Sequence, residues 1–267
     1  MSDFFSNKRV WITGASSGIG EALAHAFANQ GAHLILSARN EEALRIVAAR
    51  CKELGAGMVS VQKLDLADHN AIPGIVQNVV TGVGKVDILI NNGGISQRSL
   101  ALDTTLDVDK KLMNVNYFGT LAVTKAVLPG MLTHQLGHIV TITSLTGKFG
   151  TPYRSAYAAS KHALHGFFDS LRAELGDTRI KITLVCPGFI RTNVSINALT
   201  GSGDKLGTMD EATDKGMSPE RLAYKILAAI ERGDEEVYIG GKEVLGVYLK
   251  RLFPGYFSRL IRKARVR

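Results

Sequence analysis

The sequence has few of the residues that mark a disulfide-stapled, zinc-binding or membrane-spanning chain. Its only cysteines are Cys51 and Cys186, which lie far apart and lack C-x-x-C spacing, so no disulfide framework or zinc motif is indicated. No apolar run reaches the roughly 18 to 20 residues of a membrane-spanning helix, and the segment MSDFFSNKRV has no stretch of signal-peptide length. We therefore predict a cytoplasmic protein with two buried thiols.

The net charge of +8 comes almost entirely from the C-terminal segment. Residues 242–267 hold eight Lys or Arg and the single acidic residue Glu243, whereas the first 241 residues hold 24 basic and 23 acidic residues. We predict one domain over 1–241 and a basic amphipathic tail over 242–267. Because the tail interleaves apolar and cationic residues, it could lie on an anionic membrane surface or pack on the protein itself. Nucleic acid is disfavoured because no recognition motif accompanies the charge.

Apolar runs of strand length alternate with stretches of helical period along the chain. The runs are RVWIT, HLILSA, MVSVQ, VDILIN, HIVTIT, KITLVC and EVYIG. This alternation predicts an α/β fold with one doubly wound parallel sheet and helices on both faces. We expect a single-domain Rossmann fold with strand order 3-2-1-4-5-6-7. The irregular segment at about 190–218 is typical of a substrate lid.

A glycine-rich turn follows the first predicted strand. In VWITGASSGIGEALA, Gly14, Gly18 and Gly20 lead directly into a predicted helix. Glycines here permit a tight turn and close approach of the backbone to a pyrophosphate, and the helix N-terminus attracts the anion. The absence of a following Gly-Lys-Ser/Thr excludes a Walker A loop. The turn predicts a dinucleotide cofactor.

The second predicted strand ends in SARN, with no carboxylate before Glu41. A carboxylate at this place binds the ribose 2′-hydroxyl of NAD, whereas an arginine accommodates the 2′-phosphate of NADP. Arg39 therefore predicts NADP(H) as the cofactor. The alternative is that Arg39 is a solvated surface residue and that the enzyme is an NAD-dependent dehydrogenase.

Several motifs occur together in one order along the chain. They are TGASSGIG, Asp65 after the third strand, NNGG at 91–94, NVNYFG, Ser144, Tyr157-x-x-x-Lys161 and PGFIRT. Over nearly its whole length the chain resembles the short-chain dehydrogenase/reductase family. The stretches NNGGISQRS and PYRSAYAASKHA look closest to its member 7 and 7B branch.

The resemblance implies an oxidoreductase with a defined set of site residues. The implied catalytic residues are Asn116, Ser144, Tyr157 and Lys161. The implied cofactor contacts are Gly14, Ser16, Gly18, Ile19, Arg39, Asp65, Leu66, Asn91, Tyr157, Lys161, Pro187, Ile190 and Thr192. Gly93 departs from the family, which more often has alanine there, and the lost methyl group could widen the site. The resemblance also implies a homodimer or homotetramer formed through helices near 112–134 and 153–176.

Tyr157 and Lys161 have the spacing of one helix face, so the ammonium can lower the pKa of the phenol. We expect Tyr157 to act as the general acid or base for a ketone or aldehyde and its alcohol, and Ser144 to hold the substrate oxygen. The resemblance adds that Lys161 binds the nicotinamide ribose and that Asn116 holds a relay water. The rival interpretation is a non-catalytic NADP(H)-binding protein that docks through its tail.

Apolar residues near these motifs predict a hydrophobic or lipid-like substrate. The candidate walls are Gln97, Phe149, Tyr153, Phe189, Val194 and Ile196, with Ser144 also contacting the substrate. Arg98 and Arg154 could bind an acidic group, although such arginines are more often surface or interface residues. The pairs His134 and His138, and His162 and His165, have helical spacing that could suit a metal, but no acidic or cysteine partner is grouped with them in the sequence, so we predict no metal.

Overall fold

The computed structural model describes residues 3–264, and seven β-strands run through this part of the chain. The strands are β1 (Arg9–Thr13), β2 (His33–Ala38), β3 (Met58–Lys63), β4 (Ile88–Asn91), β5 (Leu136–Ile142), β6 (Arg179–Pro187) and β7 (Glu236–Ile239). Each coincides with one of the apolar runs of the sequence, because strands that are covered on both faces need near-continuous apolar residues.

All of these strands pair in parallel in one sheet with the order β3-β2-β1-β4-β5-β6-β7. The chain moves outward from β1 to β3, then crosses back to β4 and continues to β7. The predicted doubly wound α/β fold and its strand order are confirmed. Parallel pairing also brings the carboxyl ends of all the strands to one edge of the sheet.

Ten α-helices connect or follow the strands in the described residues. They are α1 (Gly18–Ala28), α2 (Glu41–Glu53), α3 (Ile72–Val83), α4 (Leu106–Met113), α5 (Thr120–Thr133), α6 (Ser155–Leu175), α7 (Glu211–Asp214), α8 (Pro219–Arg232), α9 (Leu245–Leu252) and α10 (Pro254–Ile261). A π-helical turn, Asn114–Gly119, joins α4 to α5. None of the helices in residues 3–264 has the length and apolar character needed to cross a membrane.

The helices cover both faces of the sheet and create two core layers. Val10 and Ile12 of β1 lie in the layer that contains Phe27 of α1. Trp11 lies in the opposite layer with Phe168 of α6. Successive strand residues point to opposite faces, so a short run such as RVWIT contributes to both cores and anchors the central strand.

Local sequence signals define the ends of α8. The Ser218 side chain accepts a hydrogen bond from the Arg221 amide, and Pro219 occupies the first turn. Gly233 ends the helix with a left-handed backbone at φ 75°. This is the expected combination of a serine N-cap, an early proline and a terminal glycine.

The segment between β6 and α8 contains the predicted lid. The Leu199 amide donates to the Ser96 carbonyl at 2.8 Å, and the Arg98 amide donates to the Leu199 carbonyl at 2.8 Å. These bonds join the segment to the chain that follows β4. It is therefore more ordered than its weak periodicity suggested, and it lies over the carboxyl edge of the sheet.

The C-terminal residues form two short helices, α9 and α10, separated by Phe253. The buried Phe257 of α10 packs edge-on against Phe149, with ring centroids 5.1 Å apart. Pro254 begins α10, as expected for a residue that cannot continue α9. Residues 265–267 of the predicted tail lie outside the described part of the chain.

The interpretation of His134 and His138 as a helical pair was wrong. His134 follows the end of α5, whereas His138 lies buried in β5 and its Nε2 is 2.8 Å from the Thr183 hydroxyl. The four positions from His134 to His138 therefore run from the end of a helix into a strand. Burial, assisted by Lys181, lowers the pKa of His138 to about 4.

This buried histidine predicts a pH-dependent loss of stability. An unfolded histidine binds a proton near pH 6.5, whereas His138 in the folded protein does so only near pH 4. Acid therefore favours unfolding across this window, by about 3 kcal/mol in total. His138→Gln should reduce the pH dependence of the free energy of unfolding, measured by urea unfolding from pH 6.5 to 4.5. The exposed His162→Gln is the control, and equal slopes in wild type and His138→Gln would contradict the assignment.

Candidate active site

A cleft opens at the carboxyl edge of the sheet, beyond the ends of β4, β5 and β6. It is lined by Ile19, Asn92, Gly94, Ile95, Ser96, Arg98, Ile142, Thr143, Ser144, Thr146, Arg154, Tyr157, Lys161, Pro187, Gly188, Phe189, Ile190, Thr192, Val194 and Thr213. Crevices at this edge are the usual ligand sites of open parallel sheets. The structure thus brings residues that are far apart in the sequence to one place.

The glycine-rich turn forms one wall of the cleft. Gly14 and Gly18 have φ of +65° and +61°, and a side chain on Gly14 would come within 2.7 Å of the Gly93 Cα. Asn92 holds the turn by donating from Nδ2 to the carbonyls of Thr13 and Gly14 at 3.0 and 3.1 Å. These contacts explain why glycine is required here.

The start of α1 fits a pyrophosphate. The side chain of Ser17, the N-cap residue, makes no capping hydrogen bond, so it does not compete with a ligand for the amides of the first turn. Such amides bind anions and the helix dipole adds to the attraction. A Cβ on Gly18 would lie 3.2 Å from the Thr192 side chain. Hence the turn and Thr192 leave only a narrow space between them.

The missing methyl group at Gly93 does not widen the site, and this expectation is corrected. A Cβ on Gly93 would lie 2.6 Å from Cδ1 of Leu66, so Leu66 already fills the space. The Asn91 side chain is also engaged, because its amide donates to the hydroxyls of Thr124 and Thr141 at 2.9 and 3.4 Å. Its Oδ1 is buried and has no hydrogen-bond partner in the described residues.

Asn116 lies inside the π-helical turn and faces the segment after β4. Its Oδ1 accepts from the Ile95 amide at 2.8 Å, and its Nδ2 donates to the Ile95 carbonyl at 2.9 Å and to the Ser160 hydroxyl at 3.0 Å. The Ser160 contact links Asn116 to α6, which carries Tyr157 and Lys161. Asn116 thus joins three elements around the cleft.

Tyr157, Lys161 and Ser144 converge in the cleft. The Lys161 Nζ lies 5.8 Å from the centroid of the Tyr157 ring and donates to the Ile142 carbonyl at 2.8 Å. The Ser144 hydroxyl oxygen accepts from the amide and hydroxyl of Thr146 at 3.1 and 2.9 Å, which orients it.

Burial and nearby cations act on the Tyr157 phenol in opposite directions. Burial raises the pKa of Tyr157, while the hydrogen bond with Ser144 and the charges of Arg154 and Arg98 lower it. Burial also lowers the pKa of Lys161 to about 8. We expected Lys161 to lower the pKa of the phenol, whereas the charges that lower it in the structure are those of Arg154 and Arg98.

For Arg98 and Arg154 we favoured a position at the surface or at an interface, and this expectation is wrong. Both are buried, and both contact Oδ2 of Asp210, Arg98 from Nε at 2.6 Å and Arg154 from Nη2 at 3.4 Å. Asp210 belongs to the segment after β6, so this charge cluster connects that segment to α6 and to the chain after β4. Sequence spacing gave no signal for it, since Arg98 and Asp210 are 112 residues apart.

Three of the predicted substrate contacts, Gln97, Phe149 and Tyr153, are not among the residues that line the cleft. Gln97 is fully buried, with Oε1 accepting from the Ala156 amide at 2.9 Å and Nε2 donating to Thr104 at 2.8 Å. Phe149 is buried under α10, and the Tyr153 carbonyl accepts from the Ser99 amide at 3.1 Å. Their apolar or polar character alone did not reveal these packing roles.

The remaining candidates separate into two groups. Phe189 and Val194 line the cleft beside Ser144. Ile196 is half-buried within the segment after β6, and its carbonyl accepts from the Gly207 amide.

Cys186 and His165 have partners that their sequence neighbours did not show. The His165 Nε2 lies 3.7 Å from the Cys186 thiol, and its Nδ1 lies 3.4 Å from a carboxylate oxygen of Glu236. These three side chains have the spacing of a metal site. However, Lys148 pairs with Glu236 at 2.7 Å and helps to hold its pKa at about 2, and burial raises the pKa of Cys186 to about 12. The geometry therefore fits a buried polar network with a neutral thiol.

The adenosine end of the predicted cofactor groove is marked by exposed charges. Arg39 follows β2 directly, and Asp65 follows β3. Lys63, the last residue of β3, pairs in register with Ala38. Ser16 is half-buried in the glycine turn. Two cations thus lie at neighbouring strand ends, Lys63 in addition to the predicted Arg39.

Comparisons with known proteins agree with this architecture. The model of the short chain dehydrogenase family matches residues 8–202. The chain is 46% identical over 267 residues to dehydrogenase/reductase SDR family member 7B of Bos taurus. The alignment covers 98% of this chain and 82% of that relative. The chain is 48% identical over 263 residues to the dehydrogenase/reductase SDR family protein 7-like of Anopheles gambiae, covering 97% and 83%.

A solved short chain dehydrogenase/reductase from Burkholderia phymatum, in complex with NAD, superimposes with a TM-score of 0.84. The two are 22% identical, and the superposition covers 100% of this chain and 99% of the other. That likeness shows the shared fold.

The buried charge cluster predicts a large effect of Asp210 on stability. Asp210→Asn should lower the free energy of unfolding by about 3 to 5 kcal/mol, because two buried guanidinium groups would lose their shared carboxylate. Urea unfolding at pH 7 measures the effect. Asp214→Asn is the matched control on the exposed side of α7 and should stay within about 0.5 kcal/mol. Equal unfolding energies for the two variants would contradict the role of Asp210.

Proposed function

The chain belongs to the short-chain dehydrogenase/reductase family, and we propose that it is an NADP(H)-dependent oxidoreductase that interconverts a ketone or aldehyde with its alcohol. The observation that carries this proposal is the convergence of Ser144, Tyr157 and Lys161 at one cleft on the carboxyl edge of the sheet, with Asn116 buried nearby and bonded to α6 through Ser160. A protein that only bound a dinucleotide would have no use for a phenol, a hydroxyl and an ammonium in this arrangement.

In the reducing direction, Tyr157 donates its phenolic proton to the carbonyl oxygen of the substrate. Ser144, which is oriented by Thr146, donates a hydrogen bond to the same oxygen and stabilises the charge that develops on it. When bound, the dinucleotide supplies or accepts the hydride. In the oxidising direction Tyr157 accepts the proton, and the cations near it favour the phenolate.

Lys161 and Asn116 support this proton transfer. The Lys161 ammonium lies close to the Tyr157 ring, and burial brings its pKa to about 8, so it can exchange a proton near neutral pH. Asn116 fixes the chain after β4 against α6 through Ile95 and Ser160. Its role in holding a relay water stays a prediction that comes from the resemblance.

The preference for NADP(H) is supported by charge at the ends of β2 and β3. Arg39 is exposed there with Lys63 at the neighbouring strand end, and both cations suit a 2′-phosphate. No acidic residue occupies the position of Arg39 or Asn40, which follow β2. The NAD found in the Burkholderia phymatum structure belongs to a protein that shares the fold and little sequence.

The substrate that we propose is hydrophobic or lipid-like. Ile95, Phe189 and Val194 provide apolar surface in the cleft that Ser144 also lines, and apolar walls with a few polar groups are typical of small-molecule sites.

A homodimer or homotetramer and a cytoplasmic location are also proposed. The exposed Phe118 and Leu132, at 47% and 36%, lie in the region that the family resemblance implies for subunit contacts.

Tyr157→Phe tests the proposed chemistry. The variant should lose at least about 100-fold in kcat, because the proton donor is removed, and should still bind NADPH. Turnover is measured as NADPH oxidation over a panel of aliphatic, aromatic and steroid ketones, and binding by fluorescence titration. Tyr224→Phe, an exposed tyrosine on α8, is the control. Wild-type turnover in Tyr157→Phe would contradict the mechanism, whereas tight NADPH binding without wild-type turnover on any ketone would favour the binding-protein alternative.

Arg39→Asp tests the cofactor preference. The Michaelis constant for NADPH should rise about tenfold or more, since a carboxylate repels the 2′-phosphate, while that for NADH should fall. Steady-state rates with both cofactors measure the change, and Lys225→Asp on α8 controls for the altered net charge. If the ratio of the two constants is the same in Arg39→Asp and wild type, the assignment of Arg39 is wrong.

A further inference from the structure

We propose that the outer surface of the two C-terminal helices docks on an anionic lipid surface. This surface, called the tail face below, consists of six apolar or aromatic residues that are largely exposed, although the Tyr248 ring also contacts Tyr238 of β7. The six residues are Leu245, Tyr248, Leu252, Phe253, Tyr256 and Leu260, with exposures between 47% and 67%. Large apolar side chains that cluster at a surface in this way mark interaction sites.

The spacing of these residues places them in two stripes. Leu245, Tyr248 and Leu252 are separated by three and four positions on α9, and Phe253, Tyr256 and Leu260 by three and four positions along α10 and the residue before it. Residues at such spacing share one side of a helix. Each helix therefore presents one apolar stripe outward.

The adjoining side of each helix packs against the protein core. Phe257 is 4% exposed and packs on Phe149, and Val247 and Ile261 lie against the same cluster. A side chain on Gly246 would come within 3.1 Å of the Phe149 ring, so α9 approaches closely. The inner side chains of both helices are thus packed on the core, and the exposed apolar stripes lie on helices that the core holds in place.

Cations surround the tail face. They are Lys250, Arg251, Arg259, Arg262 and Lys263, all exposed. From residue 244 to 267 the sequence contains no aspartate or glutamate. The nearest acid, Glu243, is turned inward and accepts a hydrogen bond from the Phe189 amide at 3.2 Å. Apolar and aromatic stripes that are flanked by lysine and arginine suit the boundary between anionic headgroups and acyl chains.

A second copy of the chain fits the tail face less well. In a two-fold dimer each surface meets its own copy, so five exposed cations would face five others without an acidic partner in the helices. Like charges placed against each other across an interface are costly. A lipid surface has the complementary charge.

The tail face also adjoins the cleft. Glu243, directly before Val244 and α9, contacts Phe189, which lines the cleft. Docking through α9 and α10 would bring this wall of the cleft close to the lipid. This consequence, unlike the docking itself, rests on the proposed function, because it supplies a route for a hydrophobic substrate from the membrane to Ser144.

Vesicle sedimentation with the full chain tests the proposal. At low salt, the wild type should sediment with vesicles of 70% phosphatidylcholine and 30% phosphatidylserine and much less with pure phosphatidylcholine. The double variant Leu252→Asp/Phe253→Asp should lose roughly tenfold or more in partitioning, since burial of such side chains is lost. Leu102→Asp is the matched control, because Leu102 is 95% exposed and lies outside the tail face; it should bind as wild type does.

The charge contribution is tested separately. Lys250→Glu/Arg251→Glu should weaken binding to the anionic vesicles by about tenfold or more, from a loss of about 1 kcal/mol for each cation, while Lys225→Glu on α8 should have a small effect. Absence of wild-type sedimentation, or equal losses in Leu102→Asp and the tail-face variant, would overturn the proposal. So would a tail-face variant that sediments with vesicles normally but shows a smaller assembly by analytical ultracentrifugation, since that result assigns the surface to a second copy.

The same variants keep this proposal distinct from the proposed function. In buffer without vesicles, Leu252→Asp/Phe253→Asp should retain the wild-type kcat with a water-soluble ketone, because the tail face contains none of the proposed catalytic residues. If the wild type binds vesicles but reduces no ketone, the docking surface stands and the enzymatic function fails. If it reduces ketones and does not bind vesicles, the opposite conclusion follows.

Discussion

The parallel pairing of β1, β4, β5 and β6 is the constraint on which the site depends. Parallel strands end at a common edge, so the glycine turn after β1, Ser144 after β5 and Pro187 at the end of β6 come together although 173 positions separate Gly14 from Pro187. The strands are held in this register by two apolar layers, one on each face of the sheet. Packing of the whole domain therefore determines the geometry of a few polar side chains at its edge.

At that edge, close backbone approach replaces side-chain packing. Gly14 lies against Gly93, Leu66 fills the space beside Gly93, and Asn92 ties the turn to β1 through the Thr13 and Gly14 carbonyls. A methyl group at Gly14 would collide with backbone rather than with a movable side chain. This crowding holds the glycine turn in place while the first turn of α1 has room for an anion, so the same glycines serve both folding and cofactor binding.

Local sequence patterns predicted the sheet and the position of the main motifs, but they did not predict the contacts between segments that are distant in the sequence. The strand order followed from βα alternation, and Ser144, Tyr157 and Lys161 follow from short motifs. By contrast, Gln97 was assigned to the substrate because it follows NNGG, yet it bonds the start of α6. Cys186 and His165 are 21 residues apart and meet only in the folded chain. Such polar networks have no sequence period, because their partners come from different elements.

The charge cluster around Asp210 connects the irregular segment after β6 with the proposed active site. Arg154 directly precedes α6 and Arg98 follows β4, so their shared contact with Asp210 holds the segment after β6 against both elements. The same two guanidinium groups act on Tyr157, where they oppose the rise in pKa that burial causes. The position of the segment after β6 and the pKa of Tyr157 therefore depend on the same side chains. The buried arginines can act on the phenol only where the carboxylate of Asp210 stabilises them.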